Sequence, residues 1–100
     1  MKKLEARFYP PTSRNHFVVI AHIFIPTEGE DRAPRIRPTR FATGDGSPAS
    51  LLSTLKYLVH ATAPHTWDRL LALRSRYWSF APVQLSAAER STEASLVRDA

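Results

Sequence analysis

A chain of 100 residues has room for one domain, and a hydrophobic content of 43% gives it a core, which a disordered polypeptide lacks. It contains no cysteine, which excludes disulfides, thiol nucleophiles and cysteine-ligated zinc or iron–sulfur sites. The net charge of +5 is concentrated in residues 32 to 80, where eight basic residues face Asp45 and Asp68 for a local balance of +6.

Residues 3–9 alternate, with Leu4, Ala6 and Phe8 on one side and Lys3, Glu5 and Arg7 on the other. This is the two-residue period of a half-buried strand. Leu4-Glu5-Ala6-Arg7 follows the basic Lys2-Lys3 without an apolar segment, so no signal-peptide pattern is present. Residues 10–15 form a loop by composition. Residues 16–25 are rich in Val, Ile and Phe and are apolar on both faces apart from the histidines, as a central or doubly covered strand requires. The first two strands are expected to pair as an antiparallel hairpin. The apolar run 17–25 is far shorter than the roughly 20 residues of a membrane-spanning helix. A soluble, cytoplasmic protein without a membrane partner is expected.

Pro26 ends the second strand, and residues 27–31 make an acidic turn. Residues 36–42 are expected to form a third strand, which Pro38 confines to an edge of the sheet. Ser47 suits a helix N-cap and Pro48 the first helical position. Leu51, Leu52, Leu55, Leu58 and Val59 then recur at helical spacing up to residues 61–63. A second helix is expected from Thr66 to about Tyr77 or Trp78, with Trp67, Leu70, Leu71, Arg74 and Trp78 on one side. Residues 79–85 are extended, as a connector or a fourth, edge strand. Ser86-Ala87-Ala88-Glu89 is a capping box for a last helix with a thin apolar face, over residues 86–98. Strands first and helices afterwards predict one α+β domain, with an antiparallel sheet packed on a helical hairpin. Its parts are a β-rich 1–42, a hairpin over 47–78 and the weak C-terminal helix.

Four arginines, Arg32, Arg35, Arg37 and Arg40, lie close together with Pro34 and Pro38 between them. Eleven of the fourteen basic residues are arginine, although GC-rich coding also enriches arginine. Its planar fork matches phosphate or carboxylate oxygens two at a time, and proline lowers the entropy lost on ordering the segment. An arginine-rich edge strand also guards a sheet against edge-to-edge pairing, without any ligand. Arg69, Arg74 and Arg76 offer a second basic group, and Arg74 to Phe80 interleaves arginine with aromatic residues as single-strand binding surfaces do. Trp67, Tyr77 and Trp78 are of types enriched at interfaces, and equally of types that fill cores.

Gly44-Asp45-Gly46-Ser47 precedes a helix, but it lacks the phosphate-loop pattern and Asp45 would repel an anion, so a turn and cap are expected. His16, His22, His60 and His65, with Asp68, do not form a metal-binding motif; His60 and His65 would splay by about 140° on a helix. No cofactor or metal is expected. The reading favoured is a non-enzymatic binding protein whose arginine-rich face engages nucleic acid or a nucleoprotein. A second reading is a protein-interaction module, an inhibitor or adaptor of phage or mobile-element type, for example an anti-defence protein, that blocks a host complex by engaging an acidic partner surface through an interface centred on Trp67, Tyr77, Trp78 and Arg76. A nuclease using His22 or His60 with arginines and Tyr57 is a third. A homodimer completed through the 36–42 edge or the second face of 17–25 is compatible with each.

Overall fold

The structure is a computed structural model that describes residues 1–12, 16–27, 29–30, 32–44, 46–62, 66–73 and 75–98. Four strands, β1 (Lys2–Phe8), β2 (Val18–Ile25), β3 (Arg35–Pro38) and β4 (Trp78–Val83), form one antiparallel sheet in the order β3-β2-β1-β4. Three helices complete an α+β domain: α1 (Pro48–Ala61), α2 (Thr66–Ala72) and α3 (Ala87–Arg98).

The alternation of β1 decides which way the sheet faces. Leu4, Ala6 and Phe8 are buried on one side, together with Ile23 and Ala21 of β2 and with Phe80 and Trp78 of β4. Helix α1 lays Leu51, Leu55 and Val59 against this side, and Leu70 of α2 joins the same core. Ile20 is an extra residue in β2, opposite the step between Ala6 and Arg7, so a β-bulge shifts the register there.

The predicted signals at the start of α1 act as expected. The Ser47 side chain accepts a hydrogen bond from the Ser50 N–H at 3.2 Å, and Pro48 occupies the first turn. The Thr62 N–H donates to the Leu58 carbonyl at 3.2 Å at the other end. The acidic turn is also present: Glu30 N–H donates to the Thr27 carbonyl at 3.0 Å, and Gly29 has φ of 91°, in the region that favours glycine.

Three boundaries differ from the sequence reading. Strand β3 is shorter than 36–42 and runs from Arg35 to Pro38; just beyond it the Thr39 N–H still donates to the Ile20 carbonyl of β2 at 3.0 Å. Helix α2 stops at Ala72 instead of reaching Tyr77 or Trp78, and the Leu73 N–H donates to the Leu70 carbonyl in a tighter closing turn. Trp78 therefore opens β4, opposite Phe8 of β1, with ring centroids 5.4 Å apart. The extended segment after it is a true edge strand, and the edge tolerates its Pro82.

Candidate anion-binding face

The face of the sheet opposite α1 and α2 is built from the residues that alternate with the core. On β1 these are Lys3, Glu5 and Arg7. Their register partners are Phe24, His22 and Val19 on β2, and Val83, Ala81 and Ser79 on β4. On β3, Arg35 lies opposite Phe24 and Arg37 opposite His22. Cations from the two strands that flank β2 thus arrive over the same central residues.

Phe24 is the floor of one end of this face. It is 3% exposed yet does not belong to the core on the other side. Cations cover its ring: Arg35 and Arg37 each place the guanidinium carbon 5.0 Å from its centroid, and Lys3 places Nζ at 5.7 Å. An aromatic ring attracts a cation through its quadrupole, so this arrangement neither wastes the ring nor leaves the charges wholly to solvent. The long stems of the three side chains supply the apolar cover.

The other end repeats the pairing on a smaller scale. Arg7 lies over Phe17 at 4.3 Å, and Phe17 is 5.7 Å from the Tyr9 ring. Arg7 also donates to Glu5 Oε2 at 3.0 Å, and Ser79 Oγ and Tyr9 Oη are 3.2 Å apart. Phe17 is exposed, as a ring available to a partner must be.

The first turn of α3 reaches over the Phe24 end. The capping box read from the sequence is formed: the Ser86 N–H donates to Glu89 Oε1 at 2.8 Å and the Glu89 N–H donates to Ser86 Oγ at 3.1 Å. The same carboxylate accepts from Lys3 Nζ at 2.9 Å through Oε1, while its Oε2 lies 3.2 Å from an Arg37 nitrogen. The Ser86 N–H and Lys3 hold the Glu89 carboxyl down at about 2, against an ordinary value of 4.5. The Arg37 approach is an ion pair without hydrogen-bond alignment, so the buried Oε2 has no hydrogen-bond donor. His22 Nδ1 is likewise buried without a hydrogen-bond partner. Burial is the main cause that lowers the His22 pKa below 6.5, followed by Lys3 and Arg37, while Glu5 and Glu89 oppose the shift.

Arg35 and Arg37 therefore lie on the assembled face, and Arg32 and Arg40 are exposed beside it. Arg32 pairs with Glu30, as the acidic turn beside it suggests. The second basic group does not join the first. Arg69 is exposed on α2, in the layer behind the sheet, and Arg76 precedes β4 at the edge opposite β3, where it stacks on Tyr77 at 5.6 Å. Arg74 lies outside the described residues. Of the aromatic residues expected at an interface, Trp78 is buried in the core, with its ring 5.4 Å from that of Phe8. Trp67 is half-buried with Lys2 Nζ over its ring at 4.9 Å, and Tyr77 is exposed. The sheet separates His22 from His60 and Tyr57, which are exposed on α1, so these residues do not share a site. His65, Glu28, Asp31 and Asp45 lie outside the described residues.

Lys3, Arg7, Phe17, Phe24 and Glu89 belong to this face, and the sequence reading did not single them out as site residues. The alternation of β1 does put Lys3 and Arg7 on the solvent side. What brings them to Arg35 and Arg37 is the pairing of β2 with both β1 and β3, which no local pattern reports. Comparison with protein-family models, with curated proteins and with solved structures finds no match to this chain.

Proposed function

We propose that this protein is a small non-enzymatic binding protein that takes nucleic acid on the outer face of its sheet. The observation that carries this reading is the set of cations held over aromatic rings on one face: Arg35, Arg37 and Lys3 over Phe24, and Arg7 over Phe17. Arginines tethered in this way present their forks to phosphate oxygens at reduced entropic cost. The exposed Phe17 ring offers a surface on which a base can stack. Capture is electrostatic at long range, and bidentate arginine contacts follow at short range.

The test is a salt titration of affinity for a single-stranded oligonucleotide. Each phosphate neutralised contributes about 0.7 to the slope of log affinity against log salt for a single strand. The Arg35→Ala, Arg37→Ala double variant is expected to reduce that slope by about 1.4 and to weaken binding across all sequences. An affinity that is flat in salt, or a slope unchanged in the double variant, would remove the phosphate contacts from the reading.

A second reading, a protein-interaction module, draws support from the helical side. Tyr57 is 72% exposed on α1, and Leu71 of α2 is exposed as well. Tyrosine is enriched at interaction hot spots. Co-purification with an acidic protein, lost on Tyr57→Ala and accompanied by no retention on heparin, would favour this reading over the first.

A further inference from the structure

We propose that Lys3, Arg37 and His22 form a phosphodiester site on the outer face, and that Glu89 occupies it in the free protein as an internal stand-in for a phosphate of single-stranded nucleic acid. The inference rests on the nucleic-acid reading above and assigns it a specific site and a closing element.

Three observations converge on it. First, the two cations come from strands that do not touch each other, β1 and β3, and meet over Phe24 of the strand between them. This makes a site with an aromatic floor and a positive rim, which the first turn of α3 reaches through Glu89. Secondly, what fills the site is an anion that fits it incompletely. Glu89 Oε1 is well bound by Lys3 and by the Ser86 N–H, but Oε2 sits beside Arg37 without an aligned hydrogen bond, and Nδ1 of His22, the register partner of Arg37, is buried without a partner. Buried polar atoms are ordinarily satisfied, so two such atoms on residues that both neighbour Arg37 need a physical explanation. A planar carboxylate already committed to capping its own helix cannot turn to serve Arg37 and His22 as well. A phosphodiester is a tetrahedral anion, carried on a flexible strand, and its oxygens can meet Lys3 and Arg37 together. A protonated His22 would donate to it, and a neutral one could donate from Nδ1 in the matching tautomer.

Thirdly, among the described side chains α3 is tied to the sheet by the two ion pairs of Glu89, both in its first turn. When phosphate enters, the carboxylate leaves the site and takes the first turn of α3 with it. Lys3, now 11% exposed, becomes accessible along with the Phe24 ring. Strand Glu5 faces the same groups and stays behind, held by Arg7. Binding and the opening of α3 are then one event: the oligonucleotide binds by displacing Glu89.

Glu89→Gln gives a clean test, because glutamine at this position also serves a capping box and removes only the charge. Affinity for a fifteen-nucleotide oligothymidylate, read by fluorescence anisotropy at low salt, is expected to rise about tenfold in Glu89→Gln, which corresponds to about 1.4 kcal/mol. Asp68→Asn, on α2 behind the sheet, makes the same change in net charge and is expected to raise affinity by less than about threefold, the screened long-range part alone. The gain should vanish when Arg37→Ala is combined with Glu89→Gln. Amide exchange at residues 90–92 should speed up in the wild-type complex, because α3 has left the sheet. Equal gains in Glu89→Gln and Asp68→Asn, a gain that survives Arg37→Ala, or α3 amides equally protected with and without oligonucleotide would each overturn the site while leaving the nucleic-acid reading in place. Absence of binding by both the wild type and Glu89→Gln, each folded by circular dichroism, would overturn both. Binding confined to Glu89→Gln would support both and show that the wild type is closed.

Discussion

Phe24 shows how one residue can be buried outside the core. Three cations lie over its ring, so its contribution combines burial with ring–cation attraction. Phe24→Leu keeps much of the volume and removes the quadrupole. It is expected to cost between about 1 and 3 kcal/mol in urea unfolding, from imperfect repacking and from cation–π terms of about 0.5–1 kcal/mol each. A cost confined to nucleic-acid affinity, with stability unchanged, would show that the cations do not rest on the ring in solution. His22 gives a second prediction. Its folded-state pKa lies below 6.5, so near and below that value the unfolded chain binds more protons than the folded one. Stability therefore falls as pH drops through 6.5, and the loss levels off below the folded-state value. Urea midpoints at pH 7.5 and 5.5 should diverge in the wild type, and His22→Gln should narrow the gap.

Helix α3 depends on its first turn. Ser86→Ala removes the hydroxyl that accepts the Glu89 N–H and should cost about 1 kcal/mol of helix stability, visible as faster amide exchange in residues 89–92. The Glu89 carboxyl, held at about 2, contributes its stability in full above 4.5, and that stability is lost as pH falls from 4.5 toward 2. Acid titration should thus loosen α3 in that window, and Glu89→Gln should not show the transition. The capping box was legible in the sequence because Ser86 and Glu89 are three residues apart. Its second role was not, because Lys3 is 86 positions away in the chain. The same division runs through the other elements. Strands β1 and β2 follow from alternation and from a long Val/Ile/Phe run, and α1 follows from Ser47, Pro48 and the leucine spacing. The end of α2 escaped because helical spacing continues through Trp78, while the pairing that claims Trp78 for β4 is with distant Phe8. Pro38 and the arginines announced an edge strand correctly. The pairing partner that turns Arg35 and Arg37 toward Lys3 had no local signature.

At the scale of the whole molecule, topology divides the positive charge that the sequence presents as one block. Strand β3 stands at one edge of the sheet and β4 at the other, with β2 and β1 between them. At about 4.8 Å per strand the edges are roughly 14 Å apart, beyond a Debye length of about 8 Å at physiological salt. Arg35 and Arg37 act together with Lys3 on the outer face, whereas Arg69 lies in the helical layer and Arg76 beside Tyr77 at the far edge. A ligand held on the outer face would feel the second group only through a screened field. The Arg69→Ala, Arg76→Ala double variant removes the same two charges as Arg35→Ala, Arg37→Ala. A protein that bound through net charge alone would lose equal affinity from both. Binding through the site and its neighbours predicts otherwise: the β3 pair should weaken affinity at least about tenfold at low salt and flatten the salt slope, and the Arg69, Arg76 pair should weaken it by less than about threefold with the slope unchanged. Equal losses measured side by side would assign the charge to a diffuse field and dissolve the distinction between the two faces of the sheet.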